Sequence, residues 1–284
     1  MNKTKFNLVA GLLILLGLGV IAGWIMQDRG MITLPGFERN HTAATPFQPS
    51  VDVMADIDAV LAKAREHDKL AIIIMGANWC EDSLAMVRHL DDPAMQGLIQ
   101  DHYESLLVDV GYLEHGRDVI NRFGMPVIYG TPTVLVVDPV SEQQINRAGM
   151  HIWRDAKKMS TEEVLAYFSD LAGNPPEPET SPLTPELAAI LADIDAFEAG
   201  QAERVYAAFK VLGPMMAMAK EDRPATFMPY WKELRSLRYA ITEDLKTLRM
   251  EARRRVAAGE TDIQLKFPAY PLFTDRASQP PEGS

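Results

Sequence analysis

Cys80 is the residue of this 284-residue chain best suited to covalent chemistry, because it is the one cysteine and stands where a strand gives way to a helix. Leu70 to Met75 is a short apolar run that stops at Gly76, and Trp79-Cys80-Glu81-Asp82-Ser83 opens a helical pattern through Leu84, Val87, Arg88 and Leu90. At a helix start the free N–H groups and the positive end of the dipole favour a thiolate over a thiol. A core cysteine would sit inside the strand, whereas this one lies past it on a polar turn. Glu81 and Asp82 suit a first helical turn but repel a neighbouring thiolate, so the expected activation is mild. Ser83 reads either as an ordinary first-turn residue or as a hydroxyl bonded to the Cys80 sulfur. A single cysteine excludes an internal disulfide, so any disulfide is intermolecular. The six histidines show no metal-ligand spacing. Met215, Met216 and Met218 read as gap fillers in an apolar helix, so neither a metal nor a cofactor is expected.

The elements that must position Cys80 follow from periodicity. Asp52 to His67 carries Val53, Ile57, Val60 and Leu61 at helical spacing. A second strand is expected over Leu106 to Val110, and a third over Thr133 to Val137, bounded by Gly130-Thr131-Pro132 and Asp138-Pro139. Gln144 to Ala148 is the candidate edge strand. Ser160-Thr161-Glu162-Glu163 fits a capping box for a helix running to about Leu171. Five prolines between Gly173 and Pro185 then predict a stiff linker. Beyond it, Leu187, Ile190, Leu191, Ile194 and Phe197 mark one helix, and Val205, Phe209 and Leu212 a second that Gly213-Pro214 interrupts. Phe227, Trp231, Leu234, Leu237, Ile241, Leu245, Leu248, Ala252 and Val256 form the stripe of a longer third helix. One helix cannot bury such a stripe, so a helical hairpin or bundle is expected, self-contained or docked on the first domain or a partner.

The order helix, strand, Trp-Cys turn, helix, strand, helix, Thr-Pro, strand, strand, helix resembles the thioredoxin-like fold over roughly residues 50 to 172. Two marks carry the resemblance: Trp79-Cys80 at a helix start, where the family has its nucleophilic cysteine, and Thr131-Pro132 before a strand, where it has a cis-proline facing that cysteine. Gly76-Ala77-Asn78-Trp79-Cys80 is similar in particular to exported, membrane-tethered members. The resemblance implies Cys80, Ser83 and Pro132 as the catalytic set, with Trp79 and Thr131 towards the substrate. Two departures bear on chemistry. The family's resolving cysteine falls at Ser83, and a hydroxyl cannot attack a mixed disulfide, so release needs an outside thiol. Ile74 stands where many thioredoxins carry a buried carboxylate that moves protons. The helices after residue 186 resemble no family.

Composition sets the remaining expectations. An apolar content of 47% supports one substantial core and a smaller second one, and a net charge of −11 argues against a nucleic-acid binder. Leu8 to Met26 holds no charged residue, and its 19 positions would span about 28 Å as a helix. Lys3 and Lys5 before it and Trp24 near its end suit a retained anchor, and Val20-Ile21-Ala22 loosely suits a cleaved signal peptide. Either reading exports the rest. The expected fold class is α/β, a thioredoxin-like sheet with flanking helices, plus a C-terminal all-α unit and an N-terminal transmembrane helix. Its parts would be an anchor (1–29), a tether (30–49), the thioredoxin-like domain (50–172), a linker (173–185), the helical unit (186–266) and a disordered tail (267–284). The expected activity is monothiol thiol–disulfide exchange, isomerase or reductase type, on exported protein thiols or disulfides or a small thiol. In this expectation the protein is extracytoplasmic and attached to a membrane through residues 8–26. The alternative is a non-catalytic binding or client-holding module acting through the helical unit.

Overall fold

β1 (Leu70–Gly76) is apolar without alternation because both of its faces are covered. It pairs in parallel with β2 (Tyr103–Asp109) and antiparallel with β3 (Thr133–Asp138), and β4 (Gln143–Gln144) extends β3, giving the order β2-β1-β3-β4. Register sets Gly76 opposite Asp109 and Met75 opposite Thr133, so the C-terminal end of β1 meets the start of β3. The computed structural model describes residues 45–176 and 183–277, which belong to one compact unit.

The helices form where the periodicity places them, and their caps explain their limits. α1 (Val53–Glu66) starts at Asp52, whose side chain accepts from Ala55 N. α2 (Glu81–Leu90) starts at Cys80, and α3 (Pro93–His102) follows with Pro93 in its first turn and Asp92 as cap. α4 (Arg117–Arg122) is short. α5 (Thr161–Gly173) carries the expected capping box between Ser160 and Glu163. Between β4 and α5 lies a 3₁₀ helix, Met150–Lys158, that the sequence did not announce. Its Trp153 is fully buried and stacks on Phe168 of α5 at 5.3 Å.

Among the described residues no helix is long and apolar enough to cross a membrane. The fold class with an N-terminal transmembrane helix, and the membrane localisation built on it, are corrected accordingly: what the structure has is a mixed α/β arrangement of a four-stranded sheet and helices. The apolar run 8–26 lies outside the described residues. The two longest helices, α6 (Pro185–Ala217, 33 residues) and α7 (Phe227–Ala257, 31 residues), have the length to span, but each confines its apolar residues to one stripe between charged faces.

That stripe is buried against the sheet domain. Ala71, Ile73 and Met75 point to one face of β1 and share a continuous core with α1, α4, α6 and α7. Three other expectations change. Pro214 does not break α6, because it falls in the last turn, where it forfeits one backbone hydrogen bond. Phe47, expected in a mobile tether, is buried, and Asn78 grips its backbone with two hydrogen bonds, accepting from N at 3.1 Å and donating to O at 2.6 Å. The tail from Phe267, expected to be disordered, packs through Leu272 and the short α8 (Phe273–Ala277), where the Tyr230 and Phe273 rings stack at 4.1 Å. Residues 177–182 of the expected linker lie outside the described residues.

Candidate functional site

Cys80 is the N-cap of α2, with an extended backbone (φ −95°, ψ 115°). It is 8% exposed, and its Sγ donates to Thr131 O at 3.1 Å. The Thr131–Pro132 peptide is cis. The fold thus brings together the sulfur at the end of the β1 turn and the Thr-Pro step before β3, two features 51 residues apart in the chain.

The other predicted residues take up different positions. Ser83 is completely buried, and its Oγ makes no hydrogen bond, to Cys80 or to any other group. It faces Gly76 and Phe47: a β-carbon on Gly76 would lie 2.9 Å from Ser83 Oγ and 2.4 Å from the Phe47 ring, so any larger residue there must displace them. Trp79 is half-buried, and its Nε1 donates to Gly111 O at 2.7 Å. Its ring meets the Trp231 ring of α7 edge-on at 6.1 Å. The Gly111 loop is held on its other side by α6, where a β-carbon on Gly213 would sit 3.2 Å from Tyr112 O. Ile74 is buried in the sheet, with no carboxylate in its place.

The first turn of α2 is tied to the 3₁₀ helix. Lys157 N donates to Asp82 Oδ1 at 3.0 Å, and Lys157 Nζ pairs with Glu81 at 2.6 Å. That hydrogen bond, with the lysine charge, holds the Glu81 carboxyl below its ordinary value. Arg154 of the same 3₁₀ helix lays its stem across Gly130, stacks on Tyr239 at 4.0 Å and donates to Thr242 Oγ1 of α7 at 3.2 Å.

Helix α7 therefore touches the site on two sides, at Trp79 and beside Gly130. Between these contacts lies Arg238, 4% exposed, with its guanidinium 5.3 Å from the Trp231 ring and 5.6 Å from the Phe209 ring. Burial pushes Arg238 down to about 10; Tyr239 and Cys80 oppose that shift, and Arg154 and Arg235 add to it. Sequence reasoning missed this residue. Its signal was present, since Arg238 interrupts the apolar stripe of α7 between Leu234 and Ile241.

A cavity of about 1010 Å³ opens elsewhere, between residues 121–126, residues 147–151, α6 and α7. It does not reach Cys80. Its acidic base is neutralised internally, with Glu198 accepting from Tyr129 at 2.9 Å and from Arg249 at 2.6 Å. The cavity is lined by no cysteine. Among the described residues no group of three or more His, Cys, Asp or Glu is placed to hold a metal ion.

No family model matches the chain, and no curated protein does. Among solved structures, the chain is similar to a disulphide isomerase from Xylella fastidiosa Temecula1, at 26% identity over 44% of this chain and 95% of that one, with a TM-score of 0.41.

Proposed function

We propose that the sheet domain is a thioredoxin-like unit that carries out monothiol thiol–disulfide exchange through Cys80, on protein thiols or disulfides or on a small thiol. The observation that carries this reading is Cys80 Sγ at the start of α2, 3.1 Å from the carbonyl that precedes cis Pro132. A thiol there has helix N–H groups beneath it, and the Thr131–Pro132 backbone beside it is where an incoming chain would pair.

In the exchange, Cys80 loses its proton to water and the thiolate attacks one sulfur of a disulfide R–S–S–R′. The Cys80–S–R bond forms as the S–S bond breaks, and R′S⁻ leaves and takes up a proton. No second thiol exists in the chain, and Ser83 cannot displace sulfur. An external thiol must therefore attack the R sulfur, expelling Cys80 as thiolate and carrying R away in a new disulfide. With one external thiol per cycle the net result is exchange or isomerisation; with excess thiol it is reduction. Trp79 is engaged by Gly111 and Trp231, so its part is to hold the site together, and Thr131 is left to meet the substrate.

The burial of Cys80, at 8% exposed, favours a second reading, in which the fold is a binding or client-holding module whose helices supply the contact surface. One experiment separates the two. Native protein treated with an aromatic disulfide should gain one persistent mixed disulfide by intact mass, released only when thiol is added. Cys80→Ala should gain none, and Ser83→Cys should release its adduct unaided. If native Cys80 reacts no faster than free glutathione, the exchange reading fails and the binding module is preferred.

A further inference from the structure

Among the described residues, Arg238 is a buried cation with no carboxylate paired to it. Its neighbours are the faces of Trp231 and Phe209, and its Nε is enclosed with no hydrogen-bond partner. Aromatic faces attract a guanidinium, but they do not replace the water it has lost. A charge in that setting calls for an anion. The carboxylates nearest the site have other partners: Glu81 pairs with Lys157, and Asp82 accepts from the Lys157 backbone. Arg235 faces Asp82 and Asp155 and stacks on Tyr239, and Arg154 stacks on the same ring. Two ring contacts lead from Arg238 to the residue beside the sulfur. The guanidinium lies on Trp231, and Trp231 meets Trp79, the residue before Cys80.

We propose that Arg238 is the charge partner of the Cys80 thiolate, so that the C-terminal hairpin completes the site on the sheet domain. The proposal rests on Cys80 being the nucleophile. As a thiol, Cys80 donates to Thr131 O at 3.1 Å. On ionisation that bond is lost and the proton passes to water; the dehydrated guanidinium then becomes the group that stabilises the sulfur. The consequence reaches the release step. In the mixed disulfide the sulfur carries no charge and Arg238 is unpaired again; when an external thiol attacks the substrate sulfur, the electrons of the breaking S–S bond return to Cys80 and restore the pair. A stabilised thiolate leaves faster. Arg238 thus helps a site with no second cysteine to turn over.

The test is the pH dependence of Cys80 alkylation by iodoacetamide, a neutral reagent, in the full chain. The midpoint reports ionisation of the sulfur, and the alkaline plateau reports its accessibility. Arg238→Met and Arg238→Gln should move the midpoint up by about one unit or more, slowing alkylation at neutral pH roughly tenfold, whereas Arg238→Lys should stay close to native. One neutral variant is apolar and the other polar, so the test survives if either misfolds. Unchanged midpoints in both neutral variants, with native circular dichroism and Tm, would overturn the charge partnership. Persistent mixed disulfides on native Cys80 would then still support the exchange reading. The reverse result, a shifted midpoint with no mixed disulfide from the aromatic disulfide, would overturn the exchange reading and keep Arg238 as partner of the sulfur.

Discussion

Where β2 begins, Glu104 is buried with two lysines and a histidine around its carboxylate: Lys63 at 3.0 Å, His67 at 2.9 Å and Lys69 at 3.4 Å. Where β1 ends, at the opposite edge of the same pair of strands, Arg238 is buried with no carboxylate, Ser83 Oγ has no partner, and the thiol of Cys80 donates to a bare carbonyl. The two ends handle dehydrated polar groups in opposite ways. At the first, charge is matched in the resting protein, so its protonation is settled and its role is to hold α1 to the sheet. At the second, the guanidinium Nε and a hydroxyl are buried without a hydrogen-bond partner, the arrangement that the proposed thiolate partnership would use.

The largest effect should come from the unmatched end. Cys80→Ala should abolish mixed-disulfide formation altogether while leaving the fold intact, as read by intact mass and circular dichroism. Residual adduct would mean that the chemistry does not belong to the sulfur.

Charge deletion should then separate the two ends in stability. Glu104→Ala leaves Lys63 and Lys69 without their carboxylate and should cost about 3–5 kcal/mol in urea unfolding. Arg238→Met removes a charge that has no carboxylate and should be neutral or stabilising. Equal losses from the two variants would break the comparison.

Acid should act on the matched end. Burial works to raise the Glu104 carboxyl, but His67, Lys63 and Lys69 outweigh it and hold it below its ordinary value. A carboxyl depressed on folding contributes stability above its unfolded pKa of about 4.3, and that contribution is lost as pH falls through the folded value. The stability gap between native protein and Glu104→Gln should therefore be full at neutral pH and close as the pH drops below about 4.3. A gap that widens in acid would reverse the assignment.

Smaller effects sharpen the unmatched end. Gly76→Ala sets a methyl 2.4 Å from the Phe47 ring and 2.9 Å from Ser83 Oγ. The ring can yield at its outer edge, so a cost of about 1–3 kcal/mol in thermal unfolding is expected. Glu81→Gln, which loses only its exposed pair with Lys157, should leave Tm unchanged.

Much of the sheet domain was legible because local pattern and tertiary role agree. The Leu70 to Met75 run, the β-branched Thr133 to Val137 run and the Ser160–Glu163 cap each act within a few residues of themselves, and each element lies where those signals put it. Phe47 and Leu272 were not legible, since single apolar residues in proline-containing stretches become core only when another element happens to cover them. The spanning helix expected over residues 8–26 rested on length, the absence of charge, and the flanking Lys3, Lys5 and Trp24, and those residues lie outside the described ones. It has no counterpart among the described helices.

By itself, the sequence determined that the chain has one thiol, that this thiol falls where a strand pattern gives way to a helical one, and that no second thiol could resolve a mixed disulfide formed on it. These follow from residue identity and from spacing over a single turn, which no later packing can alter. Only the tertiary structure decided what surrounds the sulfur. Thr131 is 51 residues away along the chain, and Arg238 comes near the site because α7 sets Trp231 against Trp79. An arginine on an apolar stripe is ambiguous in one dimension, since helical spacing says which face it occupies but not what lies opposite that face. Burial, charge balance and pairing arise from elements meeting in space, and for this reason the environment of Cys80 could be read only once the chain was folded.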